Sequence, residues 1–282
     1  MTARALARID ARNAQRPMFL WFHLMEPHSP YTPTPAYRTL FPPLRPPLLV
    51  PAETFPPWIV VDGSTDVHLY EALYDAEIRE ADDVLGKFFD ALKQRGLWND
   101  AVLVITADHG EEFYDHGGFE HNRTLYDEML HVPLFVKAPG LPAGVRDIQT
   151  QQVDIAPTLA ALAGSSVPDN LAGENVWDEL AGRRKGADVA LAERPDALFA
   201  LRTPEWKFIS DLQAHHELYH LTEDPHERRN LAPLQPDLTA AMRDRLIRFV
   251  GAAVRAGERV NGQYAPIPAR VLKRLQSLGY IK

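Results

Sequence analysis

The sequence predicts an α/β protein: a partial parallel sheet sandwiched by helices, followed by a small antiparallel sheet and a further helix. Continuous apolar runs such as Met18–Leu24 and Ala101–Ile105 are typical of strands buried on both faces. A long segment with apolar residues at helical spacing separates these two runs. Strands that alternate with helices favour a parallel sheet.

The first half of the chain is organised around these runs. Met1–Arg16 is rich in Ala and Arg and indicates a helix, which the following proline ends. Prolines are dense from Thr32 to Pro57 and predict a long surface excursion without helix or central strand. Apolar residues from Leu69 to Leu92 recur with the period of a helix, and Gly96 is its expected C′ residue.

In the second half, the pattern of apolar residues changes near Asp188. Before it, Val132–Lys137 predicts a strand and Asp154–Gly164 a helix. After it, short apolar runs separated by turns predict an antiparallel sheet, with strands at Val189–Leu191, Leu198–Leu201, Trp206–Ile209 and Glu217–Tyr219. An amphipathic helix from about Asp237 to Ala253 follows. The sequence thus predicts two domains, residues 1–187 and 188–282.

Composition excludes several classes of function. A formal net charge of −8 leaves no electrostatic footprint for nucleic acid, so no nucleic-acid partner is expected. No apolar run is long enough to span a bilayer, so no transmembrane segment is expected. The absence of cysteine rules out disulfides and thiolate metal sites within this sequence.

The strand Ala101–Ile105 leads directly into Asp108 and His109. In open α/β sheets, ligands bind at the carboxyl ends of strands. A carboxylate beside an imidazole suits a divalent cation next to an anionic substrate. Asp108 and His109 are therefore the candidate metal ligands, and Glu111 is expected to do no more than cap the next turn.

Several ordered motifs together carry a family resemblance. They are Phe19–His23 with Pro27–Tyr31, Thr106–Glu111, His121 with Leu125–Glu128, Val132–Leu134, and the C-terminal Glu217–Tyr219, Asp224–Pro225 and Asn230–Ala232. With these motifs the chain closely resembles the sulfatase family of the alkaline-phosphatase superfamily. The resemblance runs from about Pro17 to the last residue and implies an alkaline-phosphatase-like fold.

The resemblance implies a metal-assisted hydrolase of sulfate esters. Asp108 and His109 match metal-site residues of the family, which imply one divalent cation, with Ca²⁺ expected and Mn²⁺ or Zn²⁺ as alternatives. His28 matches the histidine that contacts the sulfate or the leaving oxygen. His121 matches a position that binds the sulfate. The sulfate-ester substrate is left open between a glycan, an aryl sulfate and a lipid.

The chain also departs from the family pattern. It contains neither the paired aspartates of the family's first strand nor a Cys/Ser-x-Pro-x-Arg segment with the nucleophile. We therefore expect this chain to be the C-terminal portion of a sulfatase, and we expect its first domain to be incomplete at the N-terminus. Such a chain would be poorly soluble and inactive alone, because it would expose apolar surface and unpaired strand edges.

Two alternatives stay open. One is a phosphodiesterase or phosphotransferase of the same superfamily, because an Asp-His pair also suits transition metals. The other is a non-catalytic sulfatase remnant. An upstream Cys-x-Pro-x-Arg segment, or a lone threonine in its place, would discriminate between the enzyme classes. A periplasmic or extracellular location is expected only if a signal peptide lies upstream.

Overall fold

The computed structural model describes residues 2–121, 123–166, 171–194 and 197–259. They divide into two compact units. The first unit holds the described residues up to Thr106 together with Glu111–His121 and Pro133–Gly140. The second unit holds the remaining described residues. No described helix combines the length and the apolar character needed to cross a membrane.

The first unit is built on one long helix. Its elements are α1 (Thr2–Asp10), α2 (Pro35–Arg38), α3 (Val67–Gln94), β1 (Leu103–Thr106), β2 (Glu112–Phe113), β3 (Phe119–Glu120) and β4 (Leu134–Lys137). The Asp66 side chain caps α3 by accepting from the His68 amide. At the other end Gly96 has a φ of +67°. The amides of Gly96 and Leu97 donate to the carbonyls of Lys93 and Leu92, which is a Schellman motif. The predicted C′ glycine is confirmed.

An aromatic core lies on the first half of α3. Tyr31, Phe55, Tyr70 and Phe119 are buried there, with centroids of neighbouring rings separated by 4.6 to 6.5 Å. Phe55 belongs to the proline-rich segment, which is therefore not only a surface excursion. The prediction was wrong on this point because a proline-dense chain still buries the aromatic residues between its prolines. A four-residue helix, α2, also forms within that segment.

The sheet of the first unit corrects the predicted strand direction. Strands β1 and β4 pair antiparallel, with Leu103 opposite Lys137 and Thr106 opposite Leu134. The elements between them are the short hairpin of β2 and β3 and a four-residue helix. No long crossover helix of the kind that joins parallel strands stands between them in the described sequence.

The predicted strand Met18–Leu24 has no ladder partner among the described residues. Its burial nevertheless alternates with the period of two that a strand shows. Leu20 and Phe22 pack on α1 and α3, whereas Phe19 and Trp21 are 75% and 77% exposed. The prediction of a strand buried on both faces was therefore wrong for Met18–Leu24: one face is exposed, and the segment has no ladder partner among the described residues.

The second unit contains the predicted antiparallel sheet. Strands β5 (Ala190–Arg194), β6 (Leu198–Arg202), β7 (Trp206–Ser210) and β8 (His216–His220) pair in chain order. Leu201, Phe208 and Leu218 lie side by side across three strands and are fully buried. They pack in one core with α7 (Pro236–Arg259), which confirms the predicted amphipathic helix.

The other face of this sheet is also covered. Leu125, from the segment before α4 (Asp127–Leu130), packs with Ile209 and Tyr219 in a second core. Two further helices complete the unit, α5 (Ile155–Leu162) and α6 (Trp177–Leu180). The mixed α/β class with a small antiparallel sheet and a helix is thus confirmed, apart from the direction of the first sheet.

Candidate active site

The loop that carries His28 is held by buried carboxylates of its own unit. The Ser29 hydroxyl donates to Glu120 Oε1 at 2.5 Å. The Tyr31 hydroxyl donates to Glu111 Oε2 at 2.8 Å. Ser29, Tyr31, Glu111 and Glu120 are all buried. These hydrogen bonds hold the loop against the Glu111–Glu120 segment. His28 itself is exposed.

His121 meets His28 at this loop. Their ring centroids lie 5.1 Å apart at an interplanar angle of 64°. His121 Nδ1 lies 3.0 Å from Glu111 Oε1, and the Glu111 side chain is only 4% exposed. The two histidines come from separate motifs, and the structure brings them together.

The hydrogen bonds of both rings assign the Nδ1 proton. His28 Nδ1 lies 2.6 Å from the Ser29 carbonyl oxygen. His121 Nδ1 faces the Glu111 carboxylate oxygen. A carbonyl oxygen only accepts, so His28 Nδ1 carries the proton, and a Glu111 oxygen that accepts from His121 requires the proton on that Nδ1 as well. Each Nε2 lies on the opposite edge of its ring, turned away from these acceptors.

Helix α3 anchors the segment that follows His28. The amides of Thr32 and Thr34 donate to Glu77 Oε1 and Glu80 Oε2, at 2.6 and 3.0 Å. The Tyr37 hydroxyl donates to Asp83 Oδ2 at 2.8 Å. Spacing of three residues places these acceptors on one helical face. Burial raises the pKa of Glu77 to about 7. The hydrogen bond from the Thr32 amide lowers this pKa but does not outweigh burial.

Asp108 and His109 belong to the second unit. The Asp108 side chain is 81% exposed, and its Oδ1 accepts from the His109 amide at 3.1 Å. His109 Nδ1 lies 2.8 Å from the Gly110 carbonyl oxygen, so this Nδ1 also carries a proton. Gln152 donates to the carbonyls of Ala107 and Asp108 at 2.6 and 2.9 Å and so fixes the turn.

Gly110 is required by close packing in this turn. Its amide donates to the Met129 carbonyl at 2.9 Å. A Cβ at this position would overlap the Glu128 carbonyl oxygen. The Asp-His-Gly sequence therefore ends in glycine because the backbone of α4 passes directly over it.

Asp108 and His109 alone would supply only part of a metal coordination shell. Among the described residues there is no group of three or more His, Cys, Asp or Glu side chains that could hold a metal ion. Calcium takes about six to eight oxygen ligands, and zinc takes about four. The pair fits as a carboxylate and an imidazole ligand, a donor set that suits Mn²⁺ or Zn²⁺ as well as Ca²⁺. It does not form a complete site by itself.

Two contacts of this site were not predicted from the sequence. Glu111 was expected only to cap a turn, but it joins His121 to Tyr31. Tyr31 lies inside the Pro27–Tyr31 motif, yet nothing in the sequence indicated its partner. The available signal was the position of Glu111 directly after Asp108-His109-Gly110.

The family is established by comparison with known proteins. The family model for sulfatases matches residues 1–165, which is more than half of the chain. The chain therefore belongs to the sulfatase family, as the motifs implied. A second family model, for the C-terminal part of N-sulphoglucosamine sulphohydrolase, matches residues 114–250.

The individual relatives agree with this membership. Arylsulfatase K of Bos taurus is 29% identical over 192 residues, covering 62% of this chain and 35% of that protein. The chain thus spans about a third of the length of the curated relatives it matches. A solved 2-O GAG sulfatase is 25% identical, with a TM-score of 0.59 over 73% of this chain and 47% of the other.

The fold extends to another enzyme class. The phosphonate monoester hydrolase of Agrobacterium radiobacter superposes with a TM-score of 0.73 over 92% of this chain and 60% of the other, at 24% identity. Identity this low shows the fold alone. The alkaline-phosphatase-like fold predicted from the motifs is confirmed.

Proposed function

We propose that this chain carries the sulfate-binding histidine pair of a sulfuric ester hydrolase. The observation that supports it most strongly is the contact of His28 with His121, at a ring-centroid distance of 5.1 Å. Because both Nδ1 atoms face oxygen acceptors, the two rings would meet a tetrahedral oxyanion through their Nε2 edges. Protonated at both nitrogens, each ring would be an imidazolium, and its Nε2 would donate a hydrogen bond to a sulfate oxygen or to the oxygen of the leaving group.

We further propose that Asp108 and His109 contribute two ligands to one divalent cation. When bound, such a cation polarises the oxygens of the ester. The exposed Asp108 carboxylate and the Nε2 edge of His109 are the atoms that would reach it. The substrate is proposed as a sulfate ester, with glycan esters supported by the name of the GAG sulfatase relative.

Sulfate binding tests the histidine pair. Titration of the full chain with sodium sulfate by calorimetry should show saturable binding that His28→Ala and His121→Ala each weaken at least about tenfold, the loss of a charge-assisted hydrogen bond. His68→Ala is the matched control, because His68 Nδ1 also faces a backbone carbonyl, that of Pro46, at 2.6 Å. Equal affinity in all four proteins would contradict the proposal.

Metal binding is tested without any turnover. Ca²⁺, Mn²⁺ or Zn²⁺ should raise the melting temperature of the chain, since a ligand that binds only the folded state stabilises it. Asp108→Ala should remove the shift. Asp147→Ala, at another aspartate of the second unit, should leave it unchanged. A shift that survives Asp108→Ala would place the cation elsewhere.

The sequence contains no Cys/Ser-x-Pro-x-Arg segment, so the nucleophile of the family is not among its residues. We therefore expect sulfate binding without hydrolysis when the chain is assayed alone with 4-nitrophenyl sulfate. Turnover that depends on His28 and His121 would show that another group of this chain attacks sulfur.

A further inference from the structure

Glu111 contacts both of the segments that carry the two histidines. Its Oε1 lies 3.0 Å from His121 Nδ1, and its Oε2 accepts from the Tyr31 hydroxyl at 2.8 Å. Tyr31 is 1% exposed and lies three residues after His28. One buried carboxylate thus reaches both sides of the pair.

Both carboxylate oxygens of Glu111 have a hydrogen-bond partner. A buried carboxylate is costly unless hydrogen-bond donors surround it, and here each oxygen has one. Burial, and then the Glu111 charge, raise the pKa of Tyr31 far above its ordinary value. The tyrosine hydroxyl therefore keeps its proton and remains a donor to Glu111.

The neighbouring Glu112 shows what a purely structural carboxylate looks like in the same segment. It is fully buried, and its Oε1 accepts from the backbone amides of His116 and Gly118, at 3.1 and 2.7 Å. Those contacts fix a turn. Glu111 contacts two side chains from different segments instead, and one of them is the proposed sulfate-binding His121.

We propose that Glu111 is the positioning residue of the His28–His121 pair. Its carboxylate holds the His121 ring through Nδ1, so that Nε2 faces away from it. Through the Tyr31 hydroxyl it also holds the loop that carries His28. The inference rests on the proposed function for its purpose, but the contacts themselves can be tested without it.

The test is Glu111→Gln in the full chain, which keeps the size of the side chain and removes the charge. In the wild type, nitrogen NMR of the histidine rings should show His121 protonated at Nδ1. In sulfate-free Glu111→Gln the Nδ1 proton should be shared with Nε2. Sodium sulfate should bind about tenfold more weakly, because the doubly protonated ring that donates from Nε2 loses the Glu111 carboxylate as its partner. Glu111→Asp, which retains a carboxylate, should restore the Nδ1 tautomer.

Two further variants separate positioning from folding. Glu112→Gln should lower the melting temperature and leave the His121 tautomer and the sulfate affinity unchanged. Tyr31→Phe should keep the His121 tautomer but weaken sulfate binding, because it releases only the His28 loop. A wild-type tautomer and wild-type sulfate affinity in Glu111→Gln would overturn the proposal. If the wild-type chain bound no sulfate, the proposed function would fail, and the His121 tautomer alone would decide the role of Glu111.

Discussion

At the scale of single residues, the site is organised by buried carboxylates that hold histidine-bearing segments. Glu111 and Glu120 contact the His28 loop through Tyr31 and Ser29. Glu77 holds the backbone of the same loop at Thr32. Each of these acids is buried, so its hydrogen bonds form in a low dielectric, where they are strong but costly to leave incomplete.

Glu77 makes the stability of the first unit depend on pH. Burial raises its pKa from an ordinary 4.5 to about 7, so the folded state binds more protons than the unfolded state between these values. Stability should therefore fall as the pH rises through this window, by on the order of 2–3 kcal/mol from pH 5 to pH 8. Glu77→Gln should abolish that fall and be the more stable protein at pH 8.

The measurement is urea unfolding of wild type and variant at pH 5 and pH 8. Glu80→Gln is the control, since it alters a neighbouring acceptor of the same loop and keeps the Glu77 carboxyl. Parallel pH dependence in wild type and Glu77→Gln would show that Glu77 does not titrate in this range.

At the scale of secondary-structure elements, the sequence predicted most accurately the features that depend only on neighbouring residues. Gly96 ends α3 as expected, because the left-handed C′ position favours glycine. Strands β5–β8 form where the short apolar runs predicted them, and a core lies on each face of that sheet. Pairing was harder to predict, because the partner of a strand is remote in sequence. Met18–Leu24 has the side-chain pattern of a strand, but its pairing is not determined by its own residues.

Distance in sequence also explains which candidate residues could be predicted and which could not. His28, His121, Asp108 and His109 lie in recognisable motifs, so their positions could be proposed from sequence. The role of Glu111 depends on contacts with Tyr31 and His121, which are distant in the chain. No local sequence pattern predicts these contacts, and only the folded structure shows them.

Strand β7 depends on one buried cation. Lys207 is fully buried, and its Nζ lies 2.8 Å from Asp127 Oδ1 and 3.0 Å from Glu227 Oε1. Burial would raise the pKa of Asp127, but Lys207 and Arg202 outweigh it and hold that pKa below its ordinary value. Lys207→Met should lower the free energy of unfolding by about 3–5 kcal/mol, because the buried Glu227 and the partly buried Asp127 lose their shared partner.

Denaturant unfolding of the full chain measures this effect. Lys185→Met, at an exposed lysine, should stay within about 0.5 kcal/mol of wild type. A Lys207→Met protein as stable as Lys185→Met would mean that the network around Lys207 contributes little.

At the scale of the whole molecule, the chain exposes an unusual apolar segment. Phe19 and Trp21 are 75% and 77% exposed, and the backbone around them has no ladder partner among the described residues. Unpaired strand-like segments with apolar side chains tend to pair with other chains. We therefore predict that the chain self-associates through Met18–Leu24.

A Phe19→Lys/Trp21→Lys double variant should shift sedimentation toward the monomer and raise the soluble concentration. Leu44→Lys is the matched control, because Leu44 is 93% exposed but lies in the proline-rich segment. An equal effect of both changes would trace the association to general surface hydrophobicity rather than to this segment.

The claim that His28 and His121 form an oxyanion site is tested most directly by a crystal structure of the chain soaked in sodium selenate. Selenate has the shape and charge of sulfate, and its selenium can be located by anomalous scattering. We predict selenium within hydrogen-bonding range of the Nε2 edges of both rings, and its loss in His121→Ala. Selenate bound only at other positions, with the two rings in their observed contact, would contradict the assignment of these histidines to sulfate binding.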